Sequence, residues 1–261
     1  MGGKCTCSLK GSNGTVEFNI TSFASGEYRR AHHGRWLTGI KAGRSCVVKT
    51  YKSQRYAAFV DDIKIAKIAM SIASEFNEQR KGKRQVNFII PELATVSGGG
   101  SCLASCCFGI KGGDAVTVED FIAGTYEKFV SNNGTLKYHG TLSCFTHFSY
   151  WCSKERLIIV DLQGVRTEKG YKLTDPAIHS TETLGGGYGE LDLGTVGIEA
   201  FFSTHKCEKA CRGLPKPTKA RYTYLDCEDI IKKKKRSQCE YVFLDLSPYT
   251  ALYFSYHFSH T

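Results

Sequence analysis

Lys49 ends an apolar run, Val47-Val48-Lys49, and Asp161 directly follows another, Leu157-Ile158-Ile159-Val160. Gln163 comes two residues after Asp161, and Asp175 stands immediately before Pro176. A lysine at the end of a strand facing a cleft is a suitable cation for a chain of phosphates. Carboxylates with a carboxamide are the oxygen donors that Mg²⁺ prefers. An acidic residue just past a buried strand also stands where open sheets place ligand-binding groups. The alternative is structural: an exposed strand lysine, Asp161 capping a turn, and Asp175 starting one before proline. Spacing alone leaves the two readings level.

A second group is His205-x-Cys207-x3-Cys211. Imidazole and thiolates this close suit tetrahedral Zn²⁺, and a structural site requires a fourth ligand from elsewhere, for which His147 is the best-placed candidate. Free buried cysteines beside a surface histidine are the competing reading. A third group is Met1-Gly2-x3-Thr6 with Cys5 and Cys7, a pattern for N-myristoylation at Gly2 and palmitoylation at the two cysteines. A leader with an accidental glycine reads the same way. Other cysteines, such as Cys46 and Cys144, lie among apolar residues and read as small buried hydrophobes.

These residues need elements to hold them. The first fourteen residues are rich in Gly, Ser and Cys and read as a flexible leader over 1–15. From Val16 to Thr50 short apolar runs alternate with Gly and basic residues, as in a twisted antiparallel sheet. A helix is expected from Asp61 to about Arg80, with Ile63, Ala66, Met70, Ala73 and Phe76 on one face. Gln85–Glu92 and Asp114–Glu119 read as strands, Leu142–Tyr150 as a helix, and Leu157–Val160 as a strand buried on both faces. A glycine-rich loop over Gly185–Gly194 precedes a helix from about Val196 to His205.

The 261 residues are 41% hydrophobic, enough for a substantial core, and no apolar run approaches the roughly 18–20 residues that cross a bilayer. A cytoplasmic protein is expected, membrane-associated if the N-terminus is acylated. The net charge of +10 points to an anionic partner. Part of it is the run Lys232–Arg236, which reads as a solvated loop. No zinc-finger or single-strand-binding pattern accompanies the charge, so a nucleic-acid-binding module is the weakest reading.

Taken in order, the motifs resemble the alpha-kinase family of atypical Ser/Thr protein kinases. The resemblance runs from about Phe23 to Cys211. It rests on Gly26-Glu27-Tyr28-Arg29-Arg30-Ala31, Val47-Val48-Lys49, Val118-Glu119-Asp120-Phe121 and the segment Gly124–Gly134. Phe145–Tyr150, Val160–Val165, Leu173–Pro176, the glycine loop and His205–Cys211 follow. The resemblance implies an α+β, two-lobed fold: a strand-rich N-lobe with one long helix (16–118) and a mixed C-lobe with a structural zinc site (119–261). It implies ATP and Mg²⁺ as catalytic cofactors, Zn²⁺ as a structural one, and a protein as phosphate acceptor. Lys49 and Arg29 would contact the ATP phosphates, and Glu119 with the Phe121 backbone would hold adenine. Asp161 would be the catalytic aspartate, Gln163 and Asp175 would bind Mg²⁺, and His147, His205, Cys207 and Cys211 would hold zinc. Gly189 and Gly194 would bound the glycine loop. Two features depart from the family pattern: a longer stretch between Gly164 and Asp175, and Leu191 where alanine is usual. An inactive nucleotide-binding scaffold is the alternative that these departures leave open.

Overall fold

The computed structural model describes residues 3–9, 14–53, 56–80, 84–97, 109–138, 140–181 and 187–217. Strands β1 (Lys4–Leu9) and β2 (Thr15–Asn19) bury alternate residues, Cys5, Cys7 and Leu9 on one and Val16 and Phe18 on the other. That is the period of two expected of a strand with one face inside. β1 pairs with β2 and with β7 (Glu92–Val96), which corrects the expectation of a flexible leader. It also corrects the acylation reading at Cys5 and Cys7, whose side chains lie in the core at 4% and 0% exposure. Gly2 lies outside the described residues, as do Lys232–Arg236 and the C-terminal aromatic stretch. No helix among the described residues is long and apolar enough to cross a membrane.

The remaining strands of this sheet are β3 (Ala24–Ser25), β4 (Arg29–Trp36), β5 (Ser45–Tyr51) and β8 (Ala115–Asp120). The order is β2-β1-β7-β8-β5-β4-β3, all antiparallel, and β2 pairs back onto β4, closing the sheet around Val16, Phe18, Trp36, Cys46, Val48, Val116 and Val118. Closure removes exposed edges and leaves the outer face of β4, β5 and β8 to carry polar chemistry.

Helix α1 (Tyr56–Arg80) begins five residues before the expected Asp61. Its first turns are held by tertiary packing: Phe59 is fully buried, edge-on to Tyr51 at 4.6 Å. The buried stripe is Ile65, Ala66, Ala69, Ala73 and Phe76, with Ile63 and Met70 only partly covered. This stripe packs on the C-terminal core with α2 (Thr141–Cys152), β10 (Leu157–Val160) and β6 (Gln85–Phe88). The sequence boundary at 118/119 therefore does not follow the cores, because α1 and β6 belong with the C-terminal one. The expected strand Gln85–Glu92 is broken at Ile89-Ile90-Pro91, where the chain passes from one sheet to the other.

β6 lies parallel to β12 (Gly170–Thr174) in a four-stranded sheet, β6-β12-β11-β9, with β11 (Leu162–Thr167) and β9 (Tyr126–Val130). β10 pairs separately with β13 (Ala177–Ser180). The lengthened stretch before Asp175 is thus the β11–β12 hairpin, closing at Thr167↔Gly170. Its added residues project along the strands and leave Gln163 opposite Thr174. Helix α3 (Gly194–Thr204) and a short 3-10 turn (Lys209–Cys211) complete the described C-terminal part.

Candidate active site

The chain passes between the two small sheets twice, at Asp161 from β10 to β11 and at Asp175 from β12 to β13. Val160 is paired with Ala177 on one side and Gln163 with Thr174 on the other, so the two crossings lie side by side. Both aspartates take left-handed backbone angles, φ 55° and 52°. That region is tolerated by Asp because of its short polar side chain, and such conformations persist where surrounding pairing over-determines them. The two crossings bring both carboxylates to one cleft, a cavity of about 720 Å³ also lined by Arg29, Lys49, Glu119, Lys128 and Gln163.

Opposite them, β5 and β8 present Lys49 and Glu119. Lys49 is the cross-strand partner of Thr117, so Glu119 is its diagonal neighbour on the same face. Lys49 Nζ lies 2.7 Å from Glu119 Oε1 and 2.6 Å from Asp175 Oδ2, and donates to Thr174 Oγ1 at 3.0 Å. Thr174 in turn donates to Glu119 Oε2 at 2.7 Å. Arg29, opening β4, sets one guanidinium nitrogen 2.7 Å from Asp62 of α1 and 3.0 Å from Asp175. Tyr51 donates to the same Asp62 oxygen at 2.8 Å.

Charge placement separates the carboxyl groups. Burial alone would raise Asp175, but Arg29 and Lys49 together hold it down to about 2. Burial raises Glu119 and Asp62 in spite of their cationic partners. It also raises Asp161, against the pull of Lys128, whose Nζ stands 2.7 Å from Asp161 Oδ1. Gln163 Nε2 donates to the other oxygen of Asp161 at 3.2 Å. The site therefore holds one firmly ionised carboxylate, Asp175, among others raised by burial, of which Asp161 faces the cleft as a better proton acceptor.

The structure brings Lys49, Arg29, Asp161, Gln163 and Asp175 together in this cleft. The Glu119 carboxylate is committed to Lys49 and Thr174 rather than free to face a base, and the Phe121 N–H donates to Ser45 O at 3.3 Å. Sequence reasoning passed over Lys128, which carries no motif of its own, and Asp62, which it took for the start of a helix.

The glycine loop is tethered by groups that were also missed. Buried Asp192 accepts from the Ser180 and Gly194 N–H groups at 3.0 and 2.8 Å and from Ser180 Oγ at 2.9 Å. His179 accepts from Leu193 N–H at 3.0 Å and donates through Nε2 to Asn132 O at 2.7 Å. Leu191, where the pattern departs, packs against the C-terminal core and its carbonyl accepts from Asn132. Of the expected loop, residues 185 and 186 lie outside the described residues.

Away from the cleft, His147, His205, Cys207 and Cys211 bring one donor atom each within 4.8 Å of the others. His147 Nδ1 is 3.1 Å from His205 Nε2 and 3.7 Å from Cys207 Sγ, and Cys211 Sγ is 3.5 Å from His205 Nε2. Tetrahedral zinc bonds of about 2.0–2.3 Å give ligand–ligand edges of about 3.3–3.8 Å, close to these values. His147 Nε2–H donates to Pro215 O at 2.8 Å, which leaves Nδ1 with its lone pair toward the cluster. Donor set and tautomer both fit a structural zinc ion. Cys144, buried as the sequence suggests, also donates its S–H to Cys211 Sγ at 3.3 Å.

A profile described as the Alpha-kinase family matches residues 24–211. The chain is similar to alpha-protein kinase vwkA of Dictyostelium discoideum, 38% identical over 162 residues covering 60% of this chain and 24% of the relative. It is 29% identical to myosin heavy chain kinase B of the same organism over 238 residues, 90% of this chain and 28% of the relative. The chain thus spans about a quarter of the length of these relatives. A solved alpha kinase from Entamoeba histolytica superposes with a TM-score of 0.68 at 24% identity, covering 82% of this chain and 92% of that one. The alpha-kinase domain of myosin heavy chain kinase A in complex with ADP does so with a TM-score of 0.63 at 23% identity, covering 81% and 95%. At these identities the superpositions speak for the fold.

Proposed function

Since the chain belongs to the alpha-kinase family, whose curated relatives here are protein kinases, we propose that it transfers the γ-phosphoryl group of ATP to Ser or Thr hydroxyls of a protein. The observation that carries the proposal is the convergence on one cleft of Lys49, Arg29, Asp161, Gln163 and Asp175 from four separate segments. Lys49 and Arg29, now shared by Asp175, are the cations that an incoming polyphosphate would engage. Gln163 and Asp175 are the oxygen donors that would hold Mg²⁺. The bound ion would neutralise phosphate charge.

Asp161, less acidic through burial, accepts the proton of the attacking hydroxyl, and Lys128 and Gln163 fix its orientation. The β5–β8 end of the cleft, with Val47 and the main chain of Glu119–Phe121, would receive the adenine ring, while the Glu119 carboxylate positions Lys49. His147, His205, Cys207 and Cys211 would hold zinc, which would tie α2 to the segment after α3 in a structural role.

Purified protein with Mg-ATP and a protein acceptor tests the reading. Transfer to Ser or Thr is expected, with its loss in Asp161→Ala while nucleotide binding persists. Transfer surviving in Asp161→Ala overturns it, and binding without transfer to any acceptor leaves the scaffold reading instead. Elemental analysis of the same preparation is expected to find one zinc per chain.

A further inference from the structure

Cys144 occupies a position that neither the phosphoryl-transfer site nor the four metal donors account for. It lies on α2 one turn before His147, so both project from the same helix face. It is 1% exposed, and its Sγ stands 3.3 Å from Sγ of Cys211, which is wholly buried. Joining the two sulfurs would require a closure of only ~1.3 Å to reach the ~2.0 Å of a disulfide bond. Cys207, by contrast, is exposed. The cluster thus has a solvent-facing sulfur on one side and a sheltered third sulfur on the other.

We propose that Cys144 is the resolving cysteine of an oxidation-sensitive metal centre, in which a hydroperoxide closes a Cys144–Cys211 disulfide and expels the metal. The idea rests on the zinc reading above for its metal half. The sulfur of Cys211 attacks one peroxide oxygen, giving a sulfenic acid and releasing water or an alcohol. The sulfur of Cys144 then attacks the sulfenic sulfur, forming the S–S bond and releasing water. The peroxide takes up the two electrons; the Cys144 thiol hydrogen and one proton from solvent, in place of the metal on Cys211, complete the released water or alcohol. Once bonded to carbon and sulfur, Cys211 is no longer an anionic donor, and three ligands remain where four were needed. A chain with only the four ligand residues would form Cys207–Cys211 or over-oxidise.

The full chain as purified, treated with hydrogen peroxide, tests this with two readouts: metal released to a chromophoric chelator, and disulfide mapping of peptides by mass spectrometry. The expected result is a linked Cys144–Cys211 peptide pair lighter by two hydrogens, with metal release in step and reversal by a dithiol. Cys144→Ser and Cys144→Ala are both expected to lose that pair and to accumulate Cys211 sulfinic acid, which a dithiol does not reverse. A Cys207–Cys211 pair in the wild type, with Cys144 still open to alkylation after denaturation, overturns the proposal. Protein without zinc that still forms the Cys144–Cys211 pair would defeat the metal reading alone. Zinc-loaded protein that releases metal without that pair would defeat this inference alone.

Discussion

Lys49 and Asp175, 126 positions apart in the chain, meet as an ion pair of 2.6 Å, with the Lys49 side chain only 7% exposed. The same ammonium separates Asp175 from the buried Glu119 carboxylate. Removing it leaves two carboxylates facing each other out of water, and breaking a buried pair from one side costs about 3 kcal/mol. Lys49→Met is expected to lower the urea midpoint accordingly and to reduce phosphoryl transfer by about a hundredfold or more. Adding Glu119→Gln should return part of the stability and none of the transfer. Equal midpoints for Lys49→Met and wild type would contradict this account.

Asp175 also sets an acid dependence. Its folded pKa of about 2 lies below the ordinary 3.8, so the unfolded chain takes up its proton first as pH falls. The stabilisation, about 2 kcal/mol, is complete above roughly pH 4 and lost as pH drops toward 2. Asp161, Glu119 and Asp62, raised by burial, protonate earlier in the folded state and act in the opposite sense. The stability gap between wild type and Asp175→Asn should therefore narrow between about pH 4 and pH 2, as read from urea midpoints. A gap independent of pH would refute it.

Lys128 touches Asp161 but is itself about half exposed, so its loss should change stability by less than about 1 kcal/mol. Its effect belongs to the proton acceptor. Without the cation, burial acts on Asp161 unopposed at that oxygen, and its pKa moves further up. In Lys128→Ala the acid limb of kcat/KM is expected to shift to higher pH, with a fall of about tenfold or more below neutrality. Lys128→Arg should restore the limb. An unmoved limb would mean that Lys128 only decorates the cleft.

Asp192 and Gly197 hold the glycine loop from behind. A methyl group at Gly197 would meet the His179 ring at 2.3–2.6 Å, and that ring holds Leu193 and Asn132. Gly197→Ala should cost about 1–3 kcal/mol by overpacking. Asp192→Ala strands the groups that it accepts from. If the loop positions the protein acceptor, both variants raise the KM for the protein acceptor and leave that for ATP near wild type. A change in the ATP constant alone would place the loop's role elsewhere.

Chelation should separate the two halves of the site chemistry. Removal of the proposed zinc would leave His147, His205 and Cys211 buried without a shared partner, so the melting temperature is expected to fall by several degrees, about 2–4 °C for each kcal/mol lost in a domain of this size. His205→Ala should melt at the chelated temperature with or without chelator. A melting curve indifferent to chelator would remove zinc from the description.

The clustering of His205, Cys207 and Cys211 was legible in the sequence because all three lie within one turn-rich segment, where covalent connection dictates proximity. The buried strand before Asp161 was legible for the same local reason, as an unbroken apolar run has few other uses. β1 was not, because Cys5 and Cys7 look like leader residues until β2 and β7 are found on either side of them. Helix α1 was placed too late because Asp61 and Asp62 imitate a helix start, whereas Phe59 packing on Tyr51 begins it earlier.

By itself, then, the sequence determined which residue types are present for phosphate, metal and proton chemistry, and the local elements that carry them. Only the tertiary structure decided which of them meet. The register of β11 with β12 and of β10 with β13 sets Asp161 beside Asp175, and the diagonal of β5 with β8 points Glu119 at Lys49 rather than into open cleft. Strand registers are set by pairing and packing between segments far apart in the chain, so no local reading contains them.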